Sequence, residues 1–133
     1  MKTLLLLAIF AAVSSAYIFP TWINYNPYGG LFTPTAVVAR DYSALNTQQV
    51  LNVCGLANAN IQVYSFSYQV GQGTTVWYSG NVNLAPQDIF SGASYCFYYS
   101  FLVPPIARPG FDVYLTLNSQ TSSLDTVKVS LTV

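Results

Sequence analysis

The stretch that most constrains the fold of this chain is residues 94–110, which read SYCFYYSFLVPPIARPG. Residues 94–103 combine aromatic and β-branched side chains with no charge, a composition that fits a half-buried β-strand. Three prolines then follow within residues 104–109. Each proline removes a backbone donor and keeps the preceding residue extended. We therefore predict a buried strand over 94–103, a stiff turn over 104–110 and a further strand that begins at Phe111.

Alternating apolar and polar residues, bounded by turn signals, predict further strands along the chain. Residues 17–34 carry Pro, Gly and Asn turn signals and predict an irregular arm with one short strand near 17–23. Loops are expected at 43–49 and 85–93, and a turn at 119–123. This pattern predicts an all-β, antiparallel, immunoglobulin-like β-sandwich of six to eight strands. The strands are expected at 35–42, 50–54, 61–70, 74–79 with a continuation over 81–84, 94–103, 111–118 and 125–133.

The alternation is clearest in three of these strands, and it assigns their side chains to opposite faces. One face of the strand 61–70 is expected to carry Tyr64, Phe66, Tyr68 and Val70, and the other Ile61, Val63, Ser65 and Ser67. In the strands 111–118 and 125–133, the inward residues are expected to be Phe111, Val113, Leu115, Leu117, Val127, Val129, Leu131 and Val133.

The first residues have the three-part pattern of a secretory signal peptide. Lys2 precedes an apolar run over 4–13, and small residues occupy 14–16. A retained helix is the alternative, but the apolar run is too short to span a bilayer, which needs about 20 residues. We therefore predict a signal peptide over 1–16, a single β-sandwich domain over 17–133, and a secreted or lumenal location, either extracellular, lysosomal or vacuolar.

Two cysteines, Cys54 and Cys96, bear on the same compartment. An even number of cysteines in an exported chain favours a disulfide. Two buried free thiols are the alternative, because pairing requires Cα atoms within about 7 Å.

The scarcity of charge excludes several functions. Charged residues make up 6% of the chain, and it contains no His and no Glu. Scattered Lys and Arg do not form the cluster that nucleic-acid binding requires. Without His, neither a Cys–His nucleophile pair nor a typical zinc site can form. The four Asp residues share no motif and are expected to be solvated, two of them, Asp112 and Asp125, on outward strand faces. We therefore expect no catalysis, no metal and no cofactor.

What remains is a large stock of aromatic side chains, 16% of the sequence. Core packing explains any single one of them. A sharper hypothesis is that the two sheets do not close completely and admit an apolar ligand between them. Burial of about 0.8 kcal/mol per methylene would then hold a hydrocarbon chain without any charged group.

The C-terminal half resembles the ML lipid-recognition domain family, which consists of secreted or lysosomal β-sandwiches. The similarity lies in the aromatic strand 99–104, the turn 106–110, the alternating strand 111–115 and the valine-rich end 127–133. Residues 76–80 stand where the family has a strand before its central loop. The family's additional cysteines are absent, since Asp125 and Thr126 occupy the position of one and 84–86 the positions of others. The resemblance implies a divergent, shortened carrier of a sterol or acyl chain.

Taken together, the residues and the resemblance predict a non-enzymatic lipid-binding protein whose partner is an apolar small molecule, a lipid or sterol, with transient contact to a membrane. The predicted lining of the slot is Tyr64, Phe66, Tyr68, Trp77, Tyr99, Phe101, Val103, Phe111, Val113 and Leu115, with the turn 104–110 at its rim.

Two other functions are compatible with the same sequence. Strand edges with few charged residues favour pairing between chains, so a secreted structural or adhesive protein that self-associates is the main alternative. Sugar binding through Trp22 or Trp77 is weaker, because no Asp, Asn or Glu cluster accompanies either residue.

Overall fold

A computed structural model describes residues 17–25, 30–40 and 43–133. The predicted signal peptide, 1–16, lies outside the described residues, as do the last two positions of the predicted strand 35–42. No helix in the described ranges is long and apolar enough to span a membrane. The strands are β1 (Tyr17–Ile18), β2 (Thr21–Asn24), β3 (Phe32–Arg40), β4 (Gln48–Ala57), β5 (Ile61–Gln72), β6 (Thr75–Ile89), β7 (Ser94–Leu102), β8 (Gly110–Asn118) and β9 (Ser123–Thr132).

The strands form two antiparallel sheets that pack as a sandwich. The four-stranded sheet has the order β1-β3-β4-β7, and the five-stranded sheet has the order β2-β9-β8-β5-β6. The predicted fold class is confirmed: within the described ranges, eight strands have four or more residues and β1 has two. The predicted turn after the aromatic strand is also present, since residues 103–109 cross without strand structure from β7 in one sheet to β8 in the other.

Several strand boundaries differ from the predictions because pairing with a neighbour overrides local turn signals. The arm over 17–34 is not irregular throughout: β1 pairs with β3, β2 pairs with β9, and β3 begins at Phe32. Strand β4 continues through Gly55, where the sequence predicted its end, because both β3 and β7 pair with it there. Strand β6 absorbs much of the predicted loop 85–93 by pairing with β5 up to Ile89.

The face assignment of β5 is correct for only part of the strand. The register between β5 and β6 shifts between Val63 and Ser65, so Tyr64 occupies a bulge. Ile61 and Val63 are buried before the bulge, and Phe66 and Val70 are buried after it. An extra residue reverses the side-chain alternation, which places Val63 on the same inner face as Phe66.

The core lies between the two sheets and is built from the inward residues of both. The predicted inward residues of β8 are all at most 3% exposed, and so are Val127 and Val129 of β9. On the four-stranded sheet, Leu51, Val53 and Phe97 face them, again at most 3% exposed. These residues belong to one hydrophobic cluster between the two sheets.

The position of Asp125 differs from the prediction that its side chain is solvated. It is 2% exposed, because it shares the strand face of Val127 and Val129 near the start of β9. Neither of its carboxyl oxygens has a well-formed hydrogen bond among the described residues. Burial raises the pKa of Asp125 to about 6, and the backbone N–H of Thr126 counteracts this only in part. Ionised Asp125 therefore disfavours the folded state.

This burial predicts a pH dependence of stability. Because the folded pKa of Asp125, about 6, exceeds its unfolded value, stability is highest below pH ~4 and declines as the pH rises through about 6. Asp125→Asn removes the penalty and should raise the free energy of unfolding at pH 7.5 by about 1–2 kcal/mol, with little change at pH 4. Urea unfolding at both pH values measures this. Asp88→Asn, at an exposed site, controls for the loss of one negative charge. An equal gain at both pH values would contradict the assignment.

Candidate functional site

The fold brings nine of the ten predicted lipid-binding residues together on the inner faces of the two sheets. Seven are at most 8% exposed, and the half-buried Tyr68 and Trp77 pack against them. Tyr64 is the exception, because the bulge removes it from this face. The seven buried residues are Phe66, Tyr99, Phe101, Val103, Phe111, Val113 and Leu115.

The aromatic members of this set form a continuous series of ring contacts between the sheets. Tyr99 of β7 stacks on Tyr68 of β5 at 4.5 Å between ring centroids and on Phe101 at 5.1 Å. Phe101 meets Phe111 edge-on at 5.8 Å, and Phe111 contacts Trp77 at 6.1 Å. Offset and edge-to-face pairs at these separations are favourable aromatic geometries. The rings therefore interlock across the interior.

This packing also governs the polar end of Tyr99. Burial raises the pKa of the Tyr99 hydroxyl well above its usual value, and the nearby Tyr68 and Tyr78 hydroxyls raise it further. Burial likewise raises the pKa of Tyr95. These phenols stay neutral over the physiological range, so the interior of the sandwich carries no anionic group from them.

Pockets of the described residues open at the faces and edges of the sandwich. Of the ten predicted residues, only Phe111 lines one of five such pockets, beside Gln72, Pro109 and residues of β9. A ligand between the sheets would have to separate the interlocked rings. The predicted lining thus stays a prediction, and its residues are in a closed arrangement here.

The most apolar of these pockets lies on the outer face of the four-stranded sheet. It is a groove of about 590 Å³ lined by Phe19, Val38, Arg40, Val50, Asn52 and Tyr98. Val38, Asn52 and Tyr98 are directly paired across β3, β4 and β7, so their side chains stand side by side. Phe19, 78% exposed, contributes from the connection between β1 and β2, and Tyr98 is 71% exposed.

The two cysteines lie on this same outer face. Cys54 and Cys96 are directly opposite each other on β4 and β7 and form a disulfide, which confirms the predicted pairing. Cys96 is exposed, so the alternative of two buried thiols is excluded. The bond joins the two strands next to Asn52 and Tyr98 and therefore holds one side of the groove in place.

The sequence analysis did not predict the groove, because alternation of apolar and polar residues assigns apolar side chains to the inner face only. The signal was present as neighbouring apolar pairs, Val37-Val38 and Val50-Leu51, in which both faces of a strand are apolar. The pair Tyr98-Tyr99 behaves in the same way, with Tyr99 buried and Tyr98 exposed. Such pairs in adjacent strands place apolar surface on the solvent side of a sheet.

The side chains that line the groove are mostly apolar. No group of three or more His, Cys, Asp or Glu residues in the described ranges is placed to hold a metal ion. The groove instead combines four apolar or aromatic side chains with one amide and one guanidinium. Ligand sites for apolar molecules have this composition.

Comparison with known proteins identifies the fold but not the family. The sequence matches no protein-family profile and no curated protein. Among solved structures, the C-terminal domain of Wzt is similar at a TM-score of 0.57 and 9% identity, over 90% of this chain and 78% of that one. A Niemann–Pick type C2 protein from Japanese carpenter ant is similar at a TM-score of 0.55 and 6% identity, over 84% of this chain and 98% of that one.

The second of these structures has the ML lipid-recognition fold, so the resemblance carried by the aromatic strand and proline turn is supported at the level of fold. At these identities the likeness shows the architecture alone.

A pair of neighbouring substitutions tests whether the interior is closed. Phe97→Ala, at a site that is 3% exposed, should lower the free energy of unfolding by about 3–5 kcal/mol because it leaves a cavity among packed rings. Tyr98→Ala, at a site that is 71% exposed, should lower it by less than about 1 kcal/mol. Urea unfolding of both variants provides the measurement. Equally small losses would mean that the inner rings are loosely packed.

Proposed function

We propose that this protein is a non-enzymatic lipid-binding β-sandwich, and that its outer groove holds the hydrocarbon part of a fatty acid, sterol or phospholipid. The observation that carries the proposal is the groove itself. The groove exposes the apolar surface of Phe19, Val38, Val50 and Tyr98 to water. An apolar molecule that covers this surface removes it from water, which favours binding.

The size of the groove fits this class of ligand. Its volume of about 590 Å³ lies within the range of roughly 300–1,000 Å³ that small-molecule sites occupy. Each methylene that leaves water contributes about 0.8 kcal/mol, so eight to ten methylenes offset a large part of the cost of association. Asn52 lies in the same groove and offers an amide to a hydroxyl or carboxyl group of the ligand.

The fold and the disulfide support the same proposal. The sandwich is similar to that of a Niemann–Pick type C2 protein, and disulfides persist in oxidising compartments. We therefore infer a secreted or lumenal setting, where a carrier whose groove contains one charged side chain, Arg40, meets lipid by transient contact with a membrane. A site between the sheets is the second location for the ligand, favoured by the aromatic lining but reached only if the rings part.

Groove variants test the proposal. Phe19→Ser and Tyr98→Ser should each weaken binding of a fluorescent fatty acid or a fluorescent sterol by about tenfold, because each removes roughly 1.4 kcal/mol of apolar contact. The control is Phe90→Ser, since Phe90 is 70% exposed but lies outside the groove. Equilibrium titration by fluorescence gives the dissociation constants, and thermal unfolding confirms that the variants are folded.

The outcomes separate the two locations. Binding that survives both groove variants but is lost in Phe66→Leu, on the inner face, would move the ligand to the space between the sheets. Absence of binding by the wild-type protein to fatty acid, sterol and phospholipid probes would overturn lipid binding altogether.

A further inference from the structure

The five-stranded sheet has one strand more than the four-stranded sheet, and it extends further on the flank where β6 and β7 lie. Strands β6 and β7 are consecutive in the chain and are the outer strands of the five-stranded and four-stranded sheets. Strand β7 packs over β5 rather than over β6, as shown by the Phe66–Phe97 contact at 5.2 Å and the Tyr68–Tyr99 stack at 4.5 Å. Among the described residues, no strand of the four-stranded sheet lies opposite β6.

The inner face of β6 shows the consequence. Its core-facing side chains Trp77, Tyr78, Val82 and Leu84 are only half-buried. By contrast, Val63, Phe66 and Val70 on the neighbouring β5 are at most 1% exposed. Strand β6 therefore presents a ledge, defined by these four residues, that extends past β7.

Within residues 17–25, 30–40 and 43–133, no strand pairs with the edge of β7 above this ledge. Cys54 and Cys96 have a Cα–Cα distance of 4.1 Å, which marks a non-hydrogen-bonded pair, so the backbone groups of Cys96 point away from β4. The bond from the Val103 N–H to the Thr47 carbonyl confirms that odd-numbered residues bond to the β4 side. The N–H and C=O groups that face the open side therefore belong to Ser94, Cys96, Tyr98, Ser100 and Leu102.

Strand β7 also lacks the features that discourage pairing at a sheet edge. Its nine residues contain no charge, no Pro and no Gly, and their register with β4 has no bulge. The other outer strands are short or interrupted: β1 and β2 have two and four residues, and β6 carries Pro86 and two register shifts. The disulfide also joins β7 covalently to β4.

We propose that a second copy of this chain completes the flank, with the β6 of each copy occupying the vacant place beside the β7 of the other. The two copies are related by a twofold axis that runs parallel to the strands, midway between the two layers. Each layer then contains four strands of one copy and five of the other. The ledges of the two copies cover each other, and the open backbone groups of β7 gain partners.

Strand direction and charge agree with this arrangement. Strands β6 and β7 run in opposite directions, because residues 90–93 turn the chain from one sheet into the other. An axis parallel to the strands preserves direction, so the partner's β6 runs antiparallel to β7, the usual pairing for adjacent strands. Between Asp88 and Arg108 there is no charged residue to oppose the approach of an identical surface. The regular part of β6, residues 78–83, is likewise uncharged and supplies the pairing segment.

The first experiment measures the association of the purified protein by sedimentation velocity from 1 to 200 μM. We expect a monomer–dimer equilibrium in the wild-type protein. Ser100→Pro removes one of the open N–H groups without touching the β4 ladder and should raise the dimer dissociation constant at least tenfold. Ser100→Ala is the matched control, because both variants lose the hydrogen bond from the Gln48 amide to the Ser100 hydroxyl, yet only the alanine keeps the N–H.

A second pair of variants tests the other strand and protects against misfolding of the proline variant. Val82→Lys puts a charge on the ledge and should also raise the dissociation constant at least tenfold. Asn83→Lys puts the same charge on the adjacent, opposite-facing position and should leave the dissociation constant within about threefold. Thermal unfolding of each variant confirms that the fold is retained.

Hydrogen exchange locates the contact directly. Amides of Tyr98 and Ser100 should exchange rapidly at 1 μM and be protected at 200 μM, whereas those of Phe97 and Tyr99 should be protected at both. A wild-type protein that stays monomeric at 200 μM would overturn the proposal. So would a dimer that Ser100→Pro and Val82→Lys leave intact, which would place the interface elsewhere, for example at the outer groove. Lipid binding is measured separately and does not depend on either result.

Discussion

The packing of aromatic rings between β5 and β7 is the interaction on which the rest of this structure depends. Phe66 and Tyr68 of one sheet meet Phe97 and Tyr99 of the other at centroid distances of 4.5–5.9 Å. Because bulky rings bury much apolar area each, this contact stabilises a sandwich that has few charges and one disulfide. It also sets where the sheets lie relative to each other, with β7 over β5 and β6 beyond the overlap.

Two consequences follow for function. The predicted slot residues contact one another as interlocked rings in the interior, and the apolar groove lies on the outside of the four-stranded sheet. The same offset that seats β7 over β5 uncovers the ledge on β6. Scarcity of charge then matters more than in an ordinary domain, because one charged side chain, Arg40, lines the groove and β7 carries none, so there is little of the charge that usually discourages pairing at a strand edge.

The sequence predicted the parts of the fold that depend on local alternation. The strands 111–118 and 125–133, the proline turn and the two-sheet class were all found as expected, as was the disulfide. The errors arose where a neighbour decided the outcome. A bulge at Tyr64 reversed the faces of the part of β5 that precedes it. Pairing with β5 extended β6 through a predicted loop. At the start of β9, Asp125 lies in the core instead of in solvent. None of these has a local signal, because each depends on the strand alongside.

By itself the sequence determined an all-β, aromatic, charge-poor chain, since strand propensity and side-chain period act over a few residues. It favoured a disulfide between Cys54 and Cys96, which the structure then showed. It also determined that nine of the ten chosen slot residues would share an interior. Only the tertiary structure decided whether that interior is open or filled, and which outward residues of β3, β4 and β7 would converge with Phe19 in a groove. The physical reason is that register and layer offset are set by packing between distant strands, which side-chain alternation along one strand cannot encode.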